Sequence, residues 1–144
     1  MEKLYLLAEA EGSTFAISAD AIESVVTAGE IVPVPLAAPW VAGLTALRSR
    51  VITVVDTIAS IYQRQAEIRD GQSLVVVNVD GNLYGLAVDE VHDVCEYSIE
   101  LERLGASFDS GWRRVSSGMI EADGAAVIVV DPAMLVLPDT AIAA

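Results

Sequence analysis

Apolar residues along the chain come in short runs broken by turn-forming residues, at the length of strands rather than helices. Leu4–Ala8 and Leu74–Val79 are two such runs. Each meets a glycine turn, Glu11-Gly12-Ser13 or Asp80-Gly81-Asn82, and returns as a second run, Thr14–Ser18 or Leu83–Val88. Tight Asp/Gly/Asn turns between apolar runs predict hairpins. A second pair of hairpins follows. One spans Val41–Leu47, an Arg48-Ser49-Arg50 tip and Val51–Val55; the other spans Gly118–Glu121, an Ala122-Asp123-Gly124 tip and Ala125–Val130. Asp56 then precedes Thr57–Tyr62, and Asp131 precedes Pro132–Leu137. An Asp side chain caps the free N–H groups of a first helical turn, and Pro suits the first helical position. A short helix is therefore predicted at the end of each hairpin pair.

The pattern repeats itself once. Gly12–Val25 aligns without a gap on Gly81–Val94, a shift of 69 residues that places Gly, an aromatic, an aliphatic, Asp20 or Asp89 and two further aliphatics in register. Gly43–Asp56 aligns on Gly118–Asp131 with a shift of 75, so six residues are inserted between the two blocks of the second copy. The prediction is one domain over residues 1–144, all-β with short helices. A first half at 4–64 and a second at 73–137 each supply about five strands curled into a small barrel, and strands are free to exchange between halves. Gln63–Gln72 reads as a polar linker, Leu101–Arg114 as an irregular surface loop with Trp112 pinned to the body, and Asp139–Ala144 as a frayed tail. Pro33, Pro35 and Pro39 make the segment before Trp40 extended or turning.

Composition narrows the function classes. With 53% hydrophobic residues the chain has ample core material and is not expected to be disordered. Its net charge of −13 argues against a nucleic-acid surface. The acidity is uneven, −4 over residues 1–72 and −9 over 73–144, which makes the second half the expected meeting place for a basic partner. A single cysteine, Cys95, precludes an internal disulfide. No signal peptide pattern is visible, and no apolar run approaches the ~20 residues needed to span a bilayer, so a cytoplasmic location without membrane insertion is expected.

Candidate chemistry is sparse. Cys95 stands among Asp93 and Glu96, a field that opposes a thiolate, and is expected as a buried or half-buried small side chain. His92 is the only histidine, and with Asp89, Glu90, Asp93 and Glu96 it lacks a spaced second imidazole or thiolate. No metal, cofactor or catalytic residue is expected, a small metal-binding or enzymatic domain built on this His92 cluster being the less favoured alternative, and no phosphate-binding, dinucleotide or nucleophile-elbow motif is present. Arg48 and Arg50, two of eight basic residues, sit at a hairpin tip. They read either as a solvated turn or as guanidinium groups offered to a carboxylate.

The stretch Trp40-Val-Ala-Gly43-Leu44-Thr-Ala46-Leu47-Arg48-Ser49 through Thr53-Val-Val-Asp56 resembles the signature of CheW domains, in which Asn-Leu-Arg-Gly precedes Pro, two aliphatics and Asp. Ile31-Val-Pro-Val-Pro is similar to the approach to that hairpin, and Val88-Asp89 through Val94 resembles a second motif. The resemblance covers about residues 4–137. It implies two five-stranded SH3-like barrels and a non-enzymatic adaptor. Such an adaptor would bind the cytoplasmic tip of a chemoreceptor in a groove between the barrels and pair with the regulatory domain of a CheA-type histidine kinase at membrane receptor arrays. Carried over by position, Arg48 matches the motif arginine, while Ile22, Leu44, Val91 and Val94 match aliphatic positions that line the groove or its rim, or else are plain core. Ala46, Ser49 and Thr53 stand where the family pattern has Asn, Gly and Pro. Ser49 implies a different tip conformation. Exposed edge strands make weak self-association expected.

Overall fold

The computed structural model describes residues 2–69, 71–98 and 109–136. Ten strands and two short helices follow one another as β1 (Glu2–Ala10), β2 (Ser13–Ser18), β3 (Ile22–Thr27), β4 (Val41–Leu47), β5 (Arg50–Asp56), α1 (Thr57–Tyr62), β6 (Ser73–Val79), β7 (Asn82–Val88), β8 (Glu90–Ser98), α2 (Ser110–Val115), β9 (Ser116–Ala122) and β10 (Ala125–Val130). Residues 132–136 are also helical. The four hairpins and the capped helices expected from the pattern are present. The carboxylate of Asp56 accepts from the backbone of Ala59 at 3.2 Å, and that of Asp131 from Ala133 at 3.0 Å. The fifth strand of each half, β3 or β8, follows the first hairpin.

The strands form two sheets, ordered β8-β1-β2-β10-β9 and β3-β6-β7-β5-β4. Each sheet draws on both halves of the sequence, since β3 joins the hairpin of the second half and β8 that of the first. The exchange is reciprocal, and the two orders are the same once the copies are superposed. The registers repeat as well. Leu7 pairs with Ala16 as Val76 pairs with Gly85. Phe15 lies beside Ile128 in a parallel pair as Tyr84 lies beside Thr53. Leu6 faces Val94 as Val75 faces Val25. Every one of these relations obeys the shifts of 69 and 75 residues, so the sequence duplication is also a duplication of backbone pairing.

Each sheet curls around its own apolar interior. Barrel one (β8-β1-β2-β10-β9) encloses Tyr5, Ala16, Ile120, Ala122, Val127 and Val129. Barrel two (β3-β6-β7-β5-β4) encloses Ile52, Val54, Leu74, Val76, Leu83 and Ala87. The opposite faces of the same strands meet in a third core shared by both barrels, where Leu6, Phe15, Ile17 and Ile128 pack with Val75, Val77, Leu86 and Val55. A central strand is thus buried on both faces, which is why Leu74–Val77 is a continuous apolar run rather than an alternating one.

The helices plug the shared core. Ile58, Ala59 and Ile61 of α1, Trp112 and Val115 of α2, and Leu135 and Val136 are all buried there. The Arg114 guanidinium donates to the carbonyls of Ser60 at 3.0 Å and Ile61 at 3.1 Å, and to that of Met134 at 3.5 Å. One cation thereby serves the ends of both terminal helices, where unpaired carbonyls gather. The Ser60 hydroxyl, fully buried, donates to the Leu135 carbonyl at 2.6 Å.

Two expectations need correction. The segment read as irregular at Leu101–Arg114 includes α2, capped by Asp109, whose carboxylate accepts from Trp112 at 3.0 Å. Residues 101–108 lie outside the described residues, as does the tail 139–144. The polar linker Gln63–Gln72 is tethered, Arg64 to Glu11 of the β1–β2 turn at 2.6 Å and Arg69 to Asp89, at the crossing from β7 to β8, at 2.5 Å. Cys95 is exposed, because β8 is an edge strand with solvent on one side.

Candidate protein-binding site

The chain crosses between the barrels twice inside the first hairpin blocks. After β2 a 3-10 turn, Ala19–Ala21, carries it from barrel one to β3 of barrel two. After β7, Asp89 carries it from barrel two back to β8 of barrel one. Asp89 anchors its crossing through its amide, which donates to the Glu9 carbonyl at 2.8 Å, and through its carboxylate, which accepts from the Glu11 amide at 2.8 Å.

The first aliphatic residue after each crossing is Ile22 or Val91. Both are half-buried and pack against the shared core. Three residues further on, Val25 and Val94 are 43% and 49% exposed. Val25 lies directly opposite buried Val75, and Val94 directly opposite buried Leu6. Opposed residues of an antiparallel pair share one face of the sheet. Each valine therefore continues the face that forms the shared core out to the solvent edge. Leu4, two residues before Leu6 on the same face, is exposed too. The result is a pair of apolar ledges, Ile22–Val25 on β3 and Val91–Val94 on β8, both bordering the core between the barrels.

Of the five residues singled out from the sequence, Ile22, Val91 and Val94 share this setting. Leu44 and Arg48 do not. Leu44 is on β4, which lies at the other edge of barrel two from β3, and its backbone exchanges two 2.8 Å hydrogen bonds with Val32. Arg48 is at the exposed β4–β5 tip and has no ion pair or hydrogen bond among the described residues. Its neighbour Arg50 reaches Glu23 at 3.7 Å. Val25 was not among the residues singled out. The signal for it was present, since the 69-residue shift makes it the counterpart of Val94.

The hairpin tip differs from its counterpart. Asp123 and Gly124 both take positive φ, 50° and 79°, as a tight two-residue turn of the primed type requires. At Arg48-Ser49 only Arg48 does, at 59°. A left-handed arginine is an uncommon conformation that fixes where the side chain leaves the tip. At the base of the hairpin Gly43 has a φ of 148°, and a Cβ there would sit 2.2 Å from the Val32 carbonyl oxygen. That glycine lets residues 31–32 lie against β4.

The acidity of the second half goes with its last three strands, β8 to β10, into barrel one. Because β8 crosses over, its Glu90, Asp93 and Glu96 join Glu9 of the first half in barrel one.

Residues 4–137 match the model of the CheW-like domain family. The chain is 29% identical over 126 residues to the chemotaxis protein CheW of Thermotoga maritima, covering 85% of this chain and 80% of that one. The crystal structure of the scaffolding protein TtCheW from Thermoanaerobacter tengcongensis superposes with a TM-score of 0.77 at 21% identity, over 91% of this chain and 90% of that one, and so shares the fold. Reciprocal strand exchange, paired registers and a family match over nearly the whole chain agree: this protein belongs to the CheW-like domain family.

Proposed function

We propose that the chain is a non-enzymatic adaptor of chemotaxis signalling that couples the cytoplasmic tip of a chemoreceptor to a CheA-type histidine kinase. The observation that carries this reading is the pair of solvent-facing apolar ledges at the barrel seam. Exposed aliphatic residues continuous with a core are a surface that gains by being covered. Two ledges flanking one core suit an amphipathic helical partner, whose apolar stripe is inserted while its polar face stays wet. Arg48, unpaired at a separate tip, serves a second contact with an acidic group on the kinase regulatory domain. Two sites on different elements are what an adaptor needs. Among the described residues no helix is long and apolar enough to cross a membrane, in keeping with a cytoplasmic protein held at the membrane by its receptor.

Cosedimentation with a receptor fragment and with the kinase tests both sites. Val94→Asp and Val25→Asp are expected to weaken receptor binding at least tenfold, about 1.4 kcal/mol, and to spare the kinase. Arg48→Glu is expected to do the reverse. Failure of the unmodified chain to bind either partner at micromolar concentration ends the coupling reading. A second reading, a module for another two-component kinase or a response regulator, draws on the altered Arg48-Ser49 tip. Capture of such a protein in place of a CheA-type kinase, lost on Arg48→Glu, decides for it.

A further inference from the structure

Strands β1 and β8 set Glu9 directly opposite Glu90. Two carboxylates in that relation repel, and the arrangement gains from a cation between them. His92 supplies the third group. Its Nε2 lies 3.3 Å from the Glu9 carboxylate and 4.0 Å from that of Glu90. The three potential ligand atoms all lie within 4.8 Å of one another. The backbone beneath them is held by the β1–β8 ladder and by the 2.8 Å hydrogen bond from the Asp89 amide to the Glu9 carbonyl. The duplication provides an internal control. The counterparts of Glu9, Glu90 and His92 in barrel two are Asn78, Ala21 and Glu23. The same topology there carries no imidazole, so the triad belongs to barrel one and is no by-product of the fold.

We propose that Glu9, Glu90 and His92 bind one divalent ion of the zinc class. One imidazole nitrogen and two carboxylate oxygens form a borderline donor set that suits such an ion better than a hard one, and all three side chains are exposed enough to leave a position open to water. This reverses the expectation of no metal site. Within its own strand His92 has only the carboxylate of Glu90 two residues before it, and the third ligand, Glu9, lies 83 residues away and arrives through the β1–β8 pairing. A bound ion would join β8, which carries Val91 and Val94, to its neighbour β1. The proposal does not depend on the adaptor reading.

The test is calorimetric titration of the full, tag-free chain with zinc chloride at neutral pH, read alongside the NMR resonances of the imidazole. The chain has a single histidine, so those signals are unambiguous. One site of micromolar affinity is expected, with the His92 signals shifting on zinc addition and thermal unfolding moving upward, because the ion binds the folded pairing only. His92→Ala and Glu9→Gln are each expected to weaken binding at least tenfold, and Glu23→Gln, at the counterpart position, to leave it unchanged. The absence of heat, binding that survives His92→Ala undiminished, or His92 signals that respond to protons but not to zinc would each overturn the proposal.

Discussion

The two barrels share a strand order and a set of registers, yet the connection between the third and fourth strands of each is built differently. In barrel two residues 28–40 run from β3 to β4 as an extended segment. It pairs Val32 with Leu44 and ends at Trp40, which is buried in the shared core. In barrel one the corresponding connection is six residues longer and holds α2. The counterpart of Trp40 is Val115, also buried, and α2 adds Trp112, whose ring lies 5.9 Å from that of Phe15 at an interplanar angle of 50°. Barrel two thus fills its side of the core with one indole on a strap. Barrel one divides the task between a valine and an indole on a helix, and that helix also delivers Arg114 to the carbonyls of α1. A helix formed in one copy of a duplication has become the clamp for both.

Substitutions at paired positions test how far the two copies have parted. The largest difference is expected at Phe15 and its counterpart Tyr84. Phe15 is fully buried under Trp112, whereas Tyr84 is only partly buried. Phe15→Ala should cost about 3–5 kcal/mol in urea unfolding, and Tyr84→Ala roughly half as much. Equal losses would mean that α2 adds nothing to the packing on the side of barrel one.

A smaller difference is expected at the two helix caps. The Asp56 carboxylate accepts from Ala59 and also from the Glu67 amide at 2.8 Å, so it joins α1 to the segment that follows. Among the described residues the side chain of Asp131 accepts only from Ala133. Asp56→Ala should cost about 1–2 kcal/mol and Asp131→Ala about 0.5–1 kcal/mol by the same measurement. The reverse order would show that the 63–72 segment is not held through Asp56.

The smallest effect concerns Asp109, which has no counterpart in the first half. Its backbone hydrogen bond from Trp112, aided by the Tyr62 hydroxyl at 2.8 Å, holds its carboxyl below the usual carboxylate range. Burial, with the hydrogen bond to Asp109 second, pushes the Tyr62 phenol above its ordinary value. A carboxyl with a lowered folded pKa contributes stability that is present above its unfolded value and lost as pH falls through the folded one. Asp109→Asn keeps an acceptor but removes the charge. The melting temperature of the variant should therefore lie below that of the parent at neutral pH, with the gap closing in acid. A gap that persists unchanged in acid would assign the loss to geometry rather than charge.

Much of the architecture is legible in the order of residues, because it rests on local physics. Asp-Gly pairs demand positive φ and make hairpins; Asp56 and Asp131 cap helices; apolar runs of strand length mark doubly covered strands. The duplication is legible too, since matched turns and apolar positions recur at shifts that the sheet registers obey. What local pattern could not assign is which strand joins which barrel. Strands β3 and β8 have equally apolar partners in either half, and only the two crossings at Ala19–Ala21 and Asp89 route them across. That single tertiary decision exposes Cys95 on an edge, sets Val25 and Val94 beside a shared core, and brings His92 to a glutamate from the far end of the chain. Pairing across a sheet is free of sequence distance, so the chemistry of this surface belongs to the fold rather than to any stretch of the sequence.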